Sequence, residues 1–237
     1  MGSQFSTSVG SSEKMIPLPL RKFVKDRSHG GSKFICLHGW RTSGEILRCQ
    51  TAAFRAHVRI DCDFPDAPFR GQGPPDSGIA TYYPDHEYYE WYLKTEESIN
   101  NIDESINYII NFIKENGPYD GILGFSQGAA FSSMIVSRME SDPLLSSFCP
   151  KCCILIGGVC PPQSHAILSP IFLPSLHLMG KDDPFLRLSH LLKDACYDVE
   201  LKTEMIHEEA HNIPSIRTGI YPQVKAWIER STKEVSS

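Results

Sequence analysis

Two short stretches carry residue types that do chemistry at fixed spacing. Gly124-Phe125-Ser126-Gln127-Gly128 fits G-x-S-x-G, and His207-Glu208-Glu209-Ala210-His211 fits H-E-x-x-H. The first is the pattern of a nucleophilic serine on a sharp turn between a strand and a helix. The second is the pattern of two zinc-ligating histidines on one helix face, with the glutamate as general base. They imply different enzymes, and the elements that carry them decide which one applies.

The serine motif has the context it needs. An apolar strand, Asp120–Phe125, precedes it, and a helix over Gln127–Glu140 follows. Side chains two residues before and after the serine would collide on so tight a turn, which accounts for Gly124 and Gly128. Ala129 and Ala130 let the helix pack close to the sheet. The helix N-terminus directs backbone N–H groups to where an oxyanion would form above Ser126. One such donor is the N–H of Gln127. A second, by position, is the N–H of Trp40, in the strand-ending loop His38-Gly39-Trp40.

The histidine motif lacks its context. It follows the strand-like run Val199–Ile206, and Pro214 comes three residues after His211. Two helical turns are not indicated, and Pro214 and Arg217 occupy the Gly and third-His positions of the extended zinc motif. No metal and no organic cofactor is therefore expected. His211 reads as the general base, with His207 a strand-end residue supporting it. A base needs an orienting acid. The turn after Ser175–Gly180 offers Asp182 and Asp183, and spacing does not choose between them.

These motifs sit in a rhythm of short apolar runs alternating with helix-period segments. The runs are Lys33–Gly39, His57–Asp61, Asp120–Phe125, Lys151–Gly158, Ser175–Gly180 and Val199–Ile206. Helices are predicted over Gly44–Ala56, Thr95–Asn116, Gln127–Glu140, Pro184–Cys196 and Pro214–Arg230. In the second, isoleucines recur at helical spacing between a Thr95 cap and a Gly117-Pro118 stop. The fold class is α/β: a mostly parallel central sheet flanked by helices on both faces. The segment Asp63–Trp91 breaks the rhythm with many Pro, Gly and aromatic residues. Long excursions of this kind are commonly functional. Phe64, Phe69, Tyr82, Tyr83 and Trp91, with His38, are expected to wall a substrate pocket at the C-terminal edge of the sheet.

The chain has 237 residues, 41% of them hydrophobic, which suits one domain over residues 32–232. The polar, Ser-rich start reads as a disordered tail over residues 1–31. Within it, Gly2 and Ser6 match a myristoylation pattern, and one acyl chain would give a weak membrane association. A net charge of −5 without a basic cluster excludes a nucleic-acid footprint. No apolar run reaches the ~20 residues that a membrane helix needs. The eight cysteines contain a single C-x-x-C, Cys149 to Cys152, so a zinc ribbon is not expected. Without a secretion signal the thiols are expected to be reduced and the location cytoplasmic. An exposed edge strand would allow either a monomer or a homodimer.

The stretches "FICLHGW", "DCDFPDAP", "YDGILGFSQGAA", "HLMGKDDPF" and "HEEAHNIP" together resemble the FSH-type family of serine hydrolases, small α/β-hydrolases. The resemblance runs from about Lys33 to Arg230. It implies an α/β-hydrolase fold and a carboxylesterase, with Ser126 as nucleophile, His211 as base and Asp183, three residues after Gly180, as the acid. The aromatic excursion resembles the part of the family that shapes the acyl pocket. The family has H-x-G-G-H before the proline, where this chain has Glu209 and Ala210; the change could narrow the site or add negative charge. The expected reaction is cleavage of short to medium acyl esters through an acyl-enzyme intermediate. Two other readings share the fold: a thioesterase or acyltransferase with the same three residues, and a small-molecule receptor that does not turn over.

Overall fold

Strands that are apolar on both faces must be covered twice. The computed structural model describes residues 23–94, 99–161, 167 and 169–233. In chain order its strands and α-helices are β1 (Val24–Asp26), β2 (Ser32–Leu37), α1 (Gly44–Gln50), α2 (Ala52–Val58), β3 (Ile60–Phe64), β4 (Phe69–Arg70), α3 (Ser77–Tyr82), β5 (Tyr89–Glu90), β6 (Leu93–Lys94), β7 (Ile99–Asn100), α4 (Ile102–Asn116), β8 (Gly121–Phe125), α5 (Gln127–Ser141), β9 (Cys152–Ile156), β10 (Ser175–Gly180), α6 (Leu186–Cys196), β11 (Lys202–His207) and α7 (Tyr221–Thr232). The main sheet runs β1-β3-β2-β8-β9-β10-β11. All its neighbours are parallel except β1, which is antiparallel to β3.

Side chains alternate across this sheet into two cores, as the period of a strand requires. Ile35, Leu37, Ile122, Cys153 and Leu155 join the α4, α5 and α6 side. Phe34, Cys36, Leu123, Phe125, Cys152, Ile154 and Ile156 join the α1, α2 and α7 side. Because the strands are parallel, β2, β8, β9, β10 and β11 all end at one edge, and the loops leaving that edge carry the chemistry-bearing residues. No helix among the described residues is long and apolar enough to cross a membrane.

The structure shifts several expected boundaries. Val24–Asp26, expected in the tail, forms β1. Three residues are too few to show a periodicity, and ion pairs fasten the strand and its end: Arg55 to Asp26 at 2.6 Å and Arg27 to Asp63 at 2.5 Å. Residues 1–22, with Gly2 and Ser6, lie outside the described residues, as does Thr95. The long isoleucine helix begins at Ile102; Ile99 and Asn100 instead pair with Leu93 and Lys94 as β7 and β6. His57 and Val58 close α2, and Arg59, left-handed at φ 60°, turns the chain into β3. The expected helix from Pro214 starts only at Tyr221, after a short 3-10 turn and left-handed Gly219.

Candidate active site

Ser126 sits between β8 and α5 at φ 54°, ψ −117°, a conformation that costs an L-residue on the order of 1–3 kcal/mol. Its N–H donates to the Ile156 carbonyl at 2.9 Å, tying the turn to the end of β9. The two flanking glycines are required by close approach. A Cβ on Gly124 would stand 2.5 Å from the Gly128 carbonyl oxygen, and one on Gly128 would stand 2.1 Å from that of Leu37. This geometry lifts the serine side chain above the sheet edge.

Two other loops converge on it. His211 lies four residues beyond β11, and its Nε2 is 2.9 Å from Ser126 Oγ. Its Nδ1 is 2.7 Å from Asp183 Oδ2, in the turn after β10. Asp183 uses its other oxygen, Oδ1, to accept the Phe185 N–H at 2.7 Å. The Asp183 carboxylate is buried and the His211 ring is partly exposed, with side-chain exposures of 1% and 22%. Asp182 faces solvent. Of the two acids, the turn thus presents Asp183 to the imidazole. Helix α6 begins at Leu186, so Pro184 precedes it rather than opening it.

The H-E-x-x-H run is not helical. His207 is the last residue of β11, and residues 208–212 form bends. His207 is buried; its Nδ1 accepts the Glu209 N–H at 3.3 Å, and burial pushes its pKa down. Among the described residues no three His, Cys, Asp or Glu side chains converge as metal ligands would. Glu208 and Glu209 turn away from His211. Glu208 pairs with Lys181 at 3.1 Å on the surface. Glu209 accepts the Ser215 N–H at 2.9 Å and also its hydroxyl, bracing the loop that carries His211.

Gly39 comes so close to Ser126 that a Cβ there would stand 3.6 Å from the serine Cβ. Trp40 follows, 44% exposed, with the Arg41 guanidinium 4.1 Å above its ring. Arg41 is itself held by Glu90 at 2.8 Å. Neither the Trp40 N–H nor the Gln127 N–H has an acceptor among the described residues. Gln127, as the first residue of its helix, has no intrahelical acceptor.

The aromatic residues expected to wall a pocket are placed differently. Trp91 is fully buried, its ring stacked on Phe131 at 4.8 Å and its Nε1–H donated to the His38 carbonyl. Phe69 is buried in the core. Phe64 is buried as well, and lines a cavity of about 260 Å³ whose lining does not include Ser126. Tyr83 packs edge-on against His86, and Tyr82 is 81% exposed on α3. His38 is fully buried with both ring nitrogens bonded. Phe64, Phe69 and Trp91 are thus buried as packing, the usual fate of large apolar side chains. The rings that do touch the site were not anticipated: Phe125 and Phe185 flank His211, with centroids at 5.1 and 5.0 Å. Gly157 was missed as well. It is left-handed at φ 52°, and a Cβ there would stand 3.0 Å from His211 and 3.4 Å from Asp183. The Gly157-Gly158 pair just past β9 was the available signal.

Comparison with known proteins gives this geometry a setting. The profile of a family described as serine hydrolase (FSH1) matches residues 29–220. The chain is 30% identical over 197 residues to esterase FPY3 of Fusarium mangiferae, covering 78% of this chain and 89% of that protein. It is 28% identical over 236 residues to family of serine hydrolases 3 of Saccharomyces cerevisiae, covering 85% of each. The solved structure of esterase PE8 matches with a TM-score of 0.63 at 18% identity, covering 91% of this chain and 99% of that one. The fold is that of the α/β-hydrolases.

Proposed function

Because the chain belongs to the FSH1 family of serine hydrolases and is an esterase, we propose that it cleaves carboxylic esters with Ser126 as nucleophile, His211 as base and Asp183 as orienting acid. The observation that carries this reading is the unbroken path from Ser126 Oγ to His211 Nε2 at 2.9 Å, and from His211 Nδ1 to Asp183 Oδ2 at 2.7 Å. With Nδ1–H donated to the carboxylate, Nε2 bears the lone pair that takes the serine proton.

The reaction follows from these positions. Ser126 Oγ bonds to the acyl carbon while its proton moves to His211 Nε2. The carbonyl electron pair becomes an oxyanion, held by the N–H groups of Trp40 and Gln127, each worth on the order of 3 kcal/mol in the transition state. As the intermediate collapses, the bond to the alkoxide breaks and His211 gives that oxygen its proton. Water, deprotonated by His211, then attacks the acyl-enzyme, and the carboxylic acid leaves. The exposed Trp40 ring and the Phe185 ring against His211 offer apolar surface at the rim, which suits short to medium acyl chains.

The test is labelling with a fluorophosphonate, locating the adduct by mass spectrometry in the wild type and in His211→Ala. The expected result is one adduct on Ser126 that disappears in the variant. An unlabelled wild-type Ser126 would refute the mechanism and return the receptor reading to the front. Comparing oxygen esters with thioesters of the same acyl group then separates esterase from thioesterase.

A further inference from the structure

The peptide between Gly39 and Trp40 is held from one side by two side chains. His38 Nδ1 lies 2.8 Å from the Gly39 carbonyl oxygen, and Thr42 Oγ1 donates to the same oxygen at 2.9 Å. Thr42 Oγ1 also lies 3.2 Å from His38 Nδ1, so the three atoms form one cluster. The tautomer of His38 follows from its other nitrogen. Nε2 accepts the Ala67 N–H at 3.0 Å, so the ring proton is on Nδ1 and is donated to Gly39. The imidazole packs against Trp91 at 4.8 Å, and Trp91 in turn donates to the His38 carbonyl at 2.8 Å. His38 and Thr42 are both buried. Burial lowers the His38 pKa to about 4, which keeps the ring neutral and its tautomer fixed near neutral pH.

A trans peptide is planar, with its C=O and N–H pointing in opposite directions. Clamping the Gly39 carbonyl therefore sets the direction of the Trp40 N–H. That N–H leaves the clamped side, and Gly39 itself stands beside Ser126. The loop needs such restraint: Arg41, the next residue, is left-handed at φ 49°, and Trp40 is a surface turn residue with no helix or strand to hold it.

We propose that His38 and Thr42 are positioning residues that fix the Gly39–Trp40 peptide plane and so aim the Trp40 N–H at the oxyanion. The proposal rests on the reading of Trp40 as an oxyanion donor. It assigns work to a hydroxyl that touches neither substrate nor Ser126. It also gives His38, expected at the pocket wall, a place behind the site.

Thr42→Val removes the hydroxyl at nearly constant volume, and Thr42→Ser restores it. The probe is phenylboronic acid, whose tetrahedral adduct on a serine imitates the oxyanion. The protein has three tryptophans, so labelling them with 15N gives three backbone amide signals. In the wild type the Trp40 amide proton should move downfield on adduct formation. In Thr42→Val that movement should shrink, kcat should fall about tenfold, and the boronate inhibition constant should rise about tenfold, with KM within about twofold. Thr42→Ser should recover most of the loss. A boronate that binds the wild type without moving the Trp40 amide would overturn the oxyanion reading itself. A wild-type shift that persists undiminished in Thr42→Val, with kcat and inhibition unchanged, would overturn the proposal alone. For His38, 15N imidazole spectra should show the proton on Nδ1; a proton on Nε2 would remove it from the clamp.

Discussion

Replacing Asp183 by asparagine tests the acid assignment with a built-in asymmetry. The two carboxylate oxygens have different partners: Oδ1 accepts the Phe185 N–H, and Oδ2 faces His211 Nδ1. A carboxamide has one acceptor and one donor end. If its oxygen keeps the Phe185 N–H, its NH2 group faces His211, which must then present a lone pair at Nδ1 and carry its proton on Nε2. That tautomer cannot accept the serine proton. Turning the amide over sets NH2 against the Phe185 N–H and leaves a buried donor unmet, at about 1–3 kcal/mol. Losing the negative charge beside the imidazolium adds about 1.5–3 kcal/mol in the transition state. Together these amount to about 2.5–6 kcal/mol, a fall in kcat/KM of about 70-fold to 25,000-fold at 1.36 kcal/mol per decade. Asp182 is exposed, and Asp182→Asn should change activity by no more than about twofold. The assay is p-nitrophenyl butyrate hydrolysis, with urea midpoints to show that both variants remain folded. A loss below about tenfold in folded Asp183→Asn, or a larger loss in Asp182→Asn, would refute the assignment.

Two further outcomes follow from strain and burial. Ser126→Gly should abolish hydrolysis and yet raise the urea midpoint, because glycine accepts φ 54° and relieves about 1 kcal/mol or more of net strain; a lower midpoint would count against a strained turn. His38 and His177 are held neutral by burial, with pKa values lowered to about 4 and about 3, whereas in the unfolded chain they titrate near 6.5. The unfolded chain therefore binds more protons below pH 6.5. The stability due to these two groups is complete above that pH and is lost as pH falls, down to about 4 for His38 and about 3 for His177. By pH 5 each should cost about 2 kcal/mol, and equal urea stabilities at pH 7 and pH 5 would exclude this.

How much of the site was readable depended on whether a residue's role was local. Gly124 was readable because the collision it avoids, with the backbone of Gly128 and Ala129, lies within a few residues of Ser126. Gly128 was readable from the motif alone, since the backbone it would strike is that of Leu37 and His38, at the end of another strand. The nearness of His211 to Ser126 was readable from chain order and from the proline that stops a helix there. Asp183 was not separable from Asp182 by spacing, because adjacent residues in a turn point opposite ways and only the turn's geometry selects one. The aromatic excursion was misread because composition reports that rings are apolar, and not which body they will pack against. Trp91 met His38 and Phe131 rather than a ligand. Strand β1 escaped notice because its hold on the sheet is a pairing with β3 and two ion pairs, none of which three residues can announce. Gly157 matters through its left-handed backbone and its nearness to His211 and Asp183, contacts with residues distant in sequence.

The order of the sheet has a consequence for how the molecule fails. Ser126 directly follows β8, a central strand flanked on both sides, whereas His211 follows β11, which among the described residues has one neighbour, β10. An edge strand can detach in a partial opening that leaves the rest of the sheet and both cores assembled. Such an opening withdraws the proposed base, His211, while the proposed nucleophile, Ser126, stays in place. Under rising denaturant or heat, turnover should therefore vanish before the spectroscopic signal of the core does. Activity is then a gauge of one strand's docking, and a substitution that fastens β11 can prolong working life without altering the stability of the centre.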